Sequence, residues 1–148
     1  MGKKGFTLLE ILVVLLLLAI VAALAVPAVS ALASWRLQTA VREMASDMRE
    51  VRETAITHGL TCSLVFYEAG GRYRLNLLGG TVWRELPQGV SFAAVNFLEV
   101  DRRPTLAFRF TGAPNRGGHL ALSDAKGRKK YIIVTPVTGR VRVDDNPP

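Results

Sequence analysis

The 148-residue chain has one cysteine, two histidines and no cluster of either. A single thiol, Cys62, excludes an intramolecular disulfide. Its neighbours Leu64 and Phe66 mark it as a small buried hydrophobe. No His, Cys, Asp or Glu set has the spacing of a metal site. Catalysis needs convergent groups, and the candidates here do not converge. His58 falls at a helix end and His119 at a strand start. A helix end followed at once by a strand aims His58 and Cys62 in different directions, and no third member accompanies them. Gly70-Gly71 and Gly79-Gly80 lack the Lys-Ser/Thr and helix context of a phosphate loop, so hairpin turns explain them. We therefore expect no enzyme and no cofactor. Internal repeats and low-complexity tracts are absent too. Acidic residues are few: 12 against 19 Lys and Arg, a formal charge of +7. That balance suits a polyanionic partner (nucleic acid, an anionic lipid surface or an acidic protein) or a basic, soluble surface with none.

What the chain does have is a long apolar run at its start. Met1-Gly2-Lys3-Lys4-Gly5 is short and basic. From residue 6 to 26 the chain is apolar except for Thr7 and Glu10. About 20 apolar residues make a transmembrane helix. The basic residues before them favour a cytoplasmic N-terminus, with the rest of the chain outside. A cleaved secretory signal is the competing reading, since alanines at 22–28 imitate a small-residue cleavage site. Glu10 separates the two. A carboxylate in an apolar helix costs roughly 2.5–3.5 kcal/mol at the bilayer centre, and such a residue is expected to have a partner.

Lys3-Lys4-Gly5-Phe6-Thr7-Leu8-Leu9-Glu10 resembles the class III signal of type IV pilins and type II secretion pseudopilins. The resemblance implies that a prepilin peptidase cuts after Gly5 and N-methylates Phe6. It also implies that Glu10, fifth in the mature chain, pairs with the N-terminal amine of a neighbouring subunit during assembly. In a low-dielectric bundle an amine is one of few groups that offset a buried carboxylate. Pro27 fits the bend expected near this point of a pilin helix, because proline removes a backbone hydrogen bond and clashes with the preceding turn. Removing residues 1–5 deletes Lys3 and Lys4 and leaves the chain basic.

Residues 34–58 contain neither Gly nor Pro. Leu37, Val41, Met44, Met48, Val51 and Ala55 recur at alternating spacings of four and three, which places them on one helical face. Arg42, Glu43, Arg49, Glu50, Arg52 and Glu53 lie mostly away from it, and Arg49 and Glu53 are spaced to pair one turn apart. The apolar stripe is expected to dock on a sheet, and Gly59 is a natural left-handed cap. Beyond it the period changes to two. Strands are expected at 61–67, 72–78, 81–86, 90–97, 105–110, 119–123, 131–135 and 140–143, separated by Gly, Pro, Asn and Asp clusters. Short sequential connections argue for antiparallel pairing. Trp35 suits an interfacial belt, and Trp83 suits a core or half-buried strand position.

Leu86-Pro87-Gln88-Gly89-Val90, Phe110-Thr111-Gly112, Gly118-His119-Leu120 and the closing Thr138-Gly139-Arg140-Val141-Arg142-Val143 are similar, in this order, to elements of the pseudopilin H and FimT-type minor pilin family. The expected fold is α+β, a long N-terminal helix packed against a small antiparallel β-sheet domain. The expected segments are a leader at 1–5, a transmembrane and assembly helix at 6–33, an amphipathic helix at 34–59, a globular β domain at 60–143 and a tail at 144–148. Lys126, Arg128, Lys129 and Lys130 form a basic loop around Gly127. Arg140 and Arg142, two apart, share one strand face. If adjacent, the two groups make a phosphate-attracting patch. Gly139-Arg140-Val141-Arg142 is similar to the Gly-Arg-x-Arg element associated with DNA binding in FimT-type pilins. The plainer reading is a solvated hairpin tip and a charged edge strand. The resemblance leaves two functions open. One is a minor pseudopilin of a type II secretion system, rooted in the bacterial inner membrane with its C-terminal domain outside. The other is a minor type IV pilin that binds DNA for transformation. Expected partners are other pilin or pseudopilin subunits, prepilin peptidase, the membrane, and either an exported protein or DNA.

Overall fold

The computed structural model describes residues 7–148, without the side chains of 23–31. Helix α1, Leu8–His58, runs for 51 residues, about 75 Å at 1.5 Å per residue. Thr7 starts it in an extended conformation and accepts the Glu10 N–H on Oγ1 at 3.2 Å. Gly59 ends it at φ +67°, its N–H reaching the Ala55 and Ile56 carbonyls, as the glycine's freedom at positive φ allows. The helix is continuous through position 27. The bend expected at Pro27 falls among residues 23–31, outside the described side chains.

Nine strands follow: β1 Cys62–Tyr67, β2 Arg72–Leu77, β3 Gly80–Glu85, β4 Val90–Asn96, β5 Glu99–Val100, β6 Arg103–Phe108, β7 Gly118–Asp124, β8 Lys129–Val134 and β9 Val141–Asp144. Eight match expected strands to within two or so residues. The two-residue β5 is too short to leave a period-two signal. All pairings are antiparallel, but they divide into two sheets, ordered β3-β2-β1-β6-β5 and β4-β7-β8-β9. Beyond β5, Asn115 continues the edge of β6. Its N–H donates to the Ala107 carbonyl at 2.7 Å, its Oδ1 accepts the Ala107 N–H and its Nδ2 donates to the Thr105 carbonyl.

The expected stripe is the centre of the core. Leu37, Val41, Met44, Met48, Val51 and Ala55 are all buried, with Ala40 and Ala45 beside them. They meet Leu64, Phe66, Tyr73 and Leu75 from one sheet and Leu120, Leu122, Ile132 and Val134 from the other. Phe66 stacks on Phe97 at 5.5 Å and meets Phe92 edge-on at 6.1 Å, which closes the seam between the sheets. Cys62 is buried in the same cluster. Arg49 donates to the Val141 carbonyl at 3.3 Å, so it is used across the interface rather than along the helix with Glu53. Trp35 and Trp83 are both exposed.

The docked helix face also carries a charge into this core. Asp47 is 5 % exposed because it flanks Met44 and Met48 on the docked face. Tyr73 donates its hydroxyl to Asp47 Oδ2 at 2.7 Å, and Arg84 Nε approaches the same oxygen at 3.4 Å. Burial, then the hydrogen bond to Asp47 and its negative charge, push the Tyr73 phenol well above its ordinary range. Its neutral form is the one the fold stabilises, so this contribution is intact below about pH 10 and fades as pH rises further. Tyr73→Phe leaves Asp47 buried without its short hydrogen bond. The expected cost is about 1–3 kcal/mol, read as a lower thermal midpoint of the β-sheet signal in detergent solution at pH 7.

Candidate functional site: the exposed helix and the basic loops

Residues 8–22 of α1 are all exposed and all apolar except Glu10. Leu8, Leu9 and Leu12 are 80, 74 and 59 % exposed. An apolar surface of this extent on a helix demands a cover. Glu10 lies in the first turn, where the helix dipole favours a negative charge. Its backbone N–H is held by both the Thr7 carbonyl, at 3.0 Å, and Thr7 Oγ1. Thr7 and Glu10 thus have the spacing of a capping box. Gly5 and Phe6 lie outside the described residues. Among the described residues, no helix is long and apolar enough to cross a membrane.

The structure does not bring the two basic groups together. Lys126 and Arg128 form the β7–β8 turn, and Lys129 and Lys130 begin β8. Arg142, by contrast, pairs with Ile133 near the other end of β8, and Arg140 lies beyond it. Four residue steps separate Lys129 from Ile133, about 13 Å along an antiparallel strand. Two of the loop cations are also occupied. Arg128 binds Asp124 with Nε and Nη2, both at 2.6 Å, and Lys130 pairs with Asp145. Asp124 organises the turn, accepting the N–H groups of Lys126 and Arg128 on Oδ1 at 2.9 and 3.0 Å. Burial raises its carboxyl, but the Arg128 guanidinium and the two backbone N–H groups outweigh it and hold the pKa below the usual carboxylate value.

The Gly139-Arg140 element is tied instead to the helix. Arg52 donates to the Gly112 carbonyl at 3.1 Å and to the Thr138 carbonyl at 3.2 Å. A Cβ on Gly139, at φ +64°, would lie 2.2 Å from the Gly112 carbonyl oxygen, so two loops can cross here only without a side chain. Val137 beside it sits at φ +68°, a conformation β-branched residues rarely adopt. The Leu86–Val90 turn is tied in the same manner: Arg36 reaches the Gln88 carbonyl at 3.5 Å. Arg49, Arg52 and Arg140 line one groove of about 640 Å³ with Thr135 and Thr138. Sequence reasoning did not find the parts played by Arg36, Arg49 and Arg52, because their partners are backbone carbonyls that carry no sequence signal. Among the described residues no set of His, Cys, Asp and Glu could hold a metal ion.

The model of the prokaryotic N-terminal methylation motif matches residues 1–26. No curated protein matches in sequence. The fold is similar to that of the type IV minor pilin FimU of Pseudomonas aeruginosa, with a TM-score of 0.57 and 12 % identity over 73 % of this chain and 87 % of that one. It is similar to the minor pseudopilin EpsH from the Type 2 Secretion System of Vibrio cholerae, with a TM-score of 0.56 and 12 % identity over 73 % and 95 % of the two chains. A pilin-like fold, one long helix on two antiparallel sheets, thus follows a stretch that matches the methylation motif. The same fold is shared by a minor pilin and a minor pseudopilin, so it does not separate the two. The motif implies a membrane-anchored subunit, processed by a prepilin peptidase.

Gly139→Ala is expected to destabilise the domain by more than about 1 kcal/mol, through the forbidden φ and the carbonyl clash; chemical denaturation measures it. Acid gives a second check. The Asp124 contribution is present at neutral pH and is lost as pH falls from about 5 through the folded pKa, because the unfolded state binds the proton first. The thermal midpoint therefore falls on acidification, and Asp124→Asn shows a lower midpoint at pH 7 with a shallower acid loss.

Proposed function

We propose that the chain is a minor pseudopilin of a type II secretion system, a filament subunit for protein export. After cleavage at Gly5 and N-methylation at Phe6, the apolar start of α1 sits in the inner membrane, with the N-terminus cytoplasmic and the β domain periplasmic. The observation that carries this reading is the exposed apolar surface of residues 8–22 with its single carboxylate. Such a surface suits first the bilayer and then the helices of neighbouring subunits, where the amine of methylated Phe6 in the next subunit offsets Glu10. Secretion is favoured over DNA uptake by the use of the basic residues. Arg128 and Lys130 are ion-paired, and the Gly139 loop is committed to Arg52.

DNA uptake by a FimT-like pilin is the second reading, favoured by the groove that Arg49, Arg52 and Arg140 share. On that reading DNA binding by the full chain is weak, sequence-independent and steeply salt-sensitive. Unchanged DNA affinity in Arg140→Ala plus Arg142→Ala would sink it. For assembly, Glu10→Ala is expected to insert into the membrane and be cleaved, yet to be recovered in sheared filaments at a small fraction of the wild-type level. Normal incorporation would remove the pairing of Glu10 with the neighbouring amine.

A further inference from the structure

The sheet β3-β2-β1-β6-β5 packs one face on α1. Its other face carries an aromatic and cationic cluster, flanked at one end by Val100 and Asp101. Strand alternation turns Tyr67, Arg72, Arg74, Trp83 and Arg103 outward, while Leu64, Phe66, Tyr73 and Leu75 enter the core. Arg74 and Trp83 are direct partners across β2 and β3. The Tyr67 and Trp83 rings lie 4.9 Å apart. Arg72 and Arg74 lie over Trp83 at 5.8 and 5.7 Å, and Arg103 lies over Tyr67 at 4.2 Å. Trp83 remains 49 % exposed.

Two features make this more than a charged sheet face. Among the described residues, none of these three arginines is ion-paired, although the acids Glu85 and Asp101 stand close by in the fold. Arg74 Nε is, moreover, buried with no hydrogen-bond partner. A buried donor left unpaired is costly, and native proteins rarely keep one without a use. Arg74 and Arg103 also line one groove of about 360 Å³ with Tyr67, Ser63, Val65 and Thr105, and its one acid, Asp101, leaves the two guanidinium groups in the majority. A guanidinium stacked on a ring keeps its in-plane N–H donors free and already ordered, and that fork matches a carboxylate in bidentate fashion. Trp, Tyr and Arg are the residues that dominate protein–protein hot spots. A nucleobase, by contrast, needs an open aromatic face, and arginines already lie over both rings here.

We infer that this face docks an acidic, extended segment of a neighbouring filament subunit, whose Asp or Glu side chains enter the groove and bind Arg74 and Arg103. The neighbour's identity as a subunit rests on the filament reading above; the acidic chemistry rests on the face itself.

The test uses the full chain, ¹⁵N-labelled, in uncharged detergent micelles, with hexaglutamate as the probe and oligothymidylate in parallel. Trp35→Phe assigns the two indole N–H resonances. The Trp83 resonance is expected to shift saturably with hexaglutamate while that of Trp35 stays still. Arg74→Ala plus Arg103→Ala is expected to weaken binding by about tenfold or more. Arg74→Lys plus Arg103→Lys keeps the charge, removes the planar fork and is expected to weaken binding as well. Arg140→Ala plus Arg142→Ala is expected to leave it unchanged. The proposal falls if Trp83 does not respond, if the Arg140 and Arg142 variant weakens binding as much, or if oligothymidylate binds this face more tightly than the peptide. Each of those outcomes leaves the filament reading standing, since that reading depends on the Glu10 incorporation assay.

Discussion

Burial of one helical stripe is the interaction on which the rest of this structure depends. Leu37, Val41, Met44, Met48, Val51 and Ala55 lie along the seam between two antiparallel sheets, and both sheets use that same face to leave water. Neither sheet closes into a barrel. Each therefore keeps one face against the helix or the other sheet and one face for the surroundings. The ends of the helix divide the same way. Its second half is the core of a domain, while residues 8–22 expose apolar side chains that the domain does not cover. One covalent rod thus joins a folded body to a surface made for other apolar partners.

A second layer of contacts fixes the loops. Arg36, Arg49 and Arg52 project from the flanks of the stripe and end on backbone carbonyls of Gln88, Val141, Gly112 and Thr138. Charged donors to carbonyls are stronger than neutral ones, and each spans from helix to loop. The short motifs that resemble the minor pilin family gather at these points. Leu86–Val90 meets Arg36. Phe110-Thr111-Gly112 and Thr138-Gly139-Arg140 cross each other at Arg52. Their sequence restrictions have a local physical cause in close backbone approach and positive φ. For Gly139, that cause operates without any ligand.

Much of this was legible in the chain. The 3.6-residue stripe and the capping glycine fixed the helix and its buried face, because burial and periodicity report the same fact. Period-two alternation located every strand longer than two residues. What the sequence hid is three-dimensional. The division into two sheets depends on which edges meet, and alternation is blind to edges. Asp47 carries no sign of burial in the sequence, since only the width of the docked face buries it. The basic groups at 126–130 and at 140–142 are near in sequence, but antiparallel pairing sends them to opposite ends of β8. The cluster of Tyr67, Arg72, Arg74, Trp83 and Arg103 draws on four strands, so no window of sequence contains it.

The long docked face has a mechanical consequence. Leu37 and Ala55 are 18 residues apart, about 27 Å of helix. A pull along the helix axis from its exposed end reaches the domain as shear along that whole length. The buried stripe and the three arginine ties then bear the load in parallel, whereas a pull across the axis would peel them apart one turn at a time. The domain is built to resist being drawn lengthwise and is weakest when levered sideways.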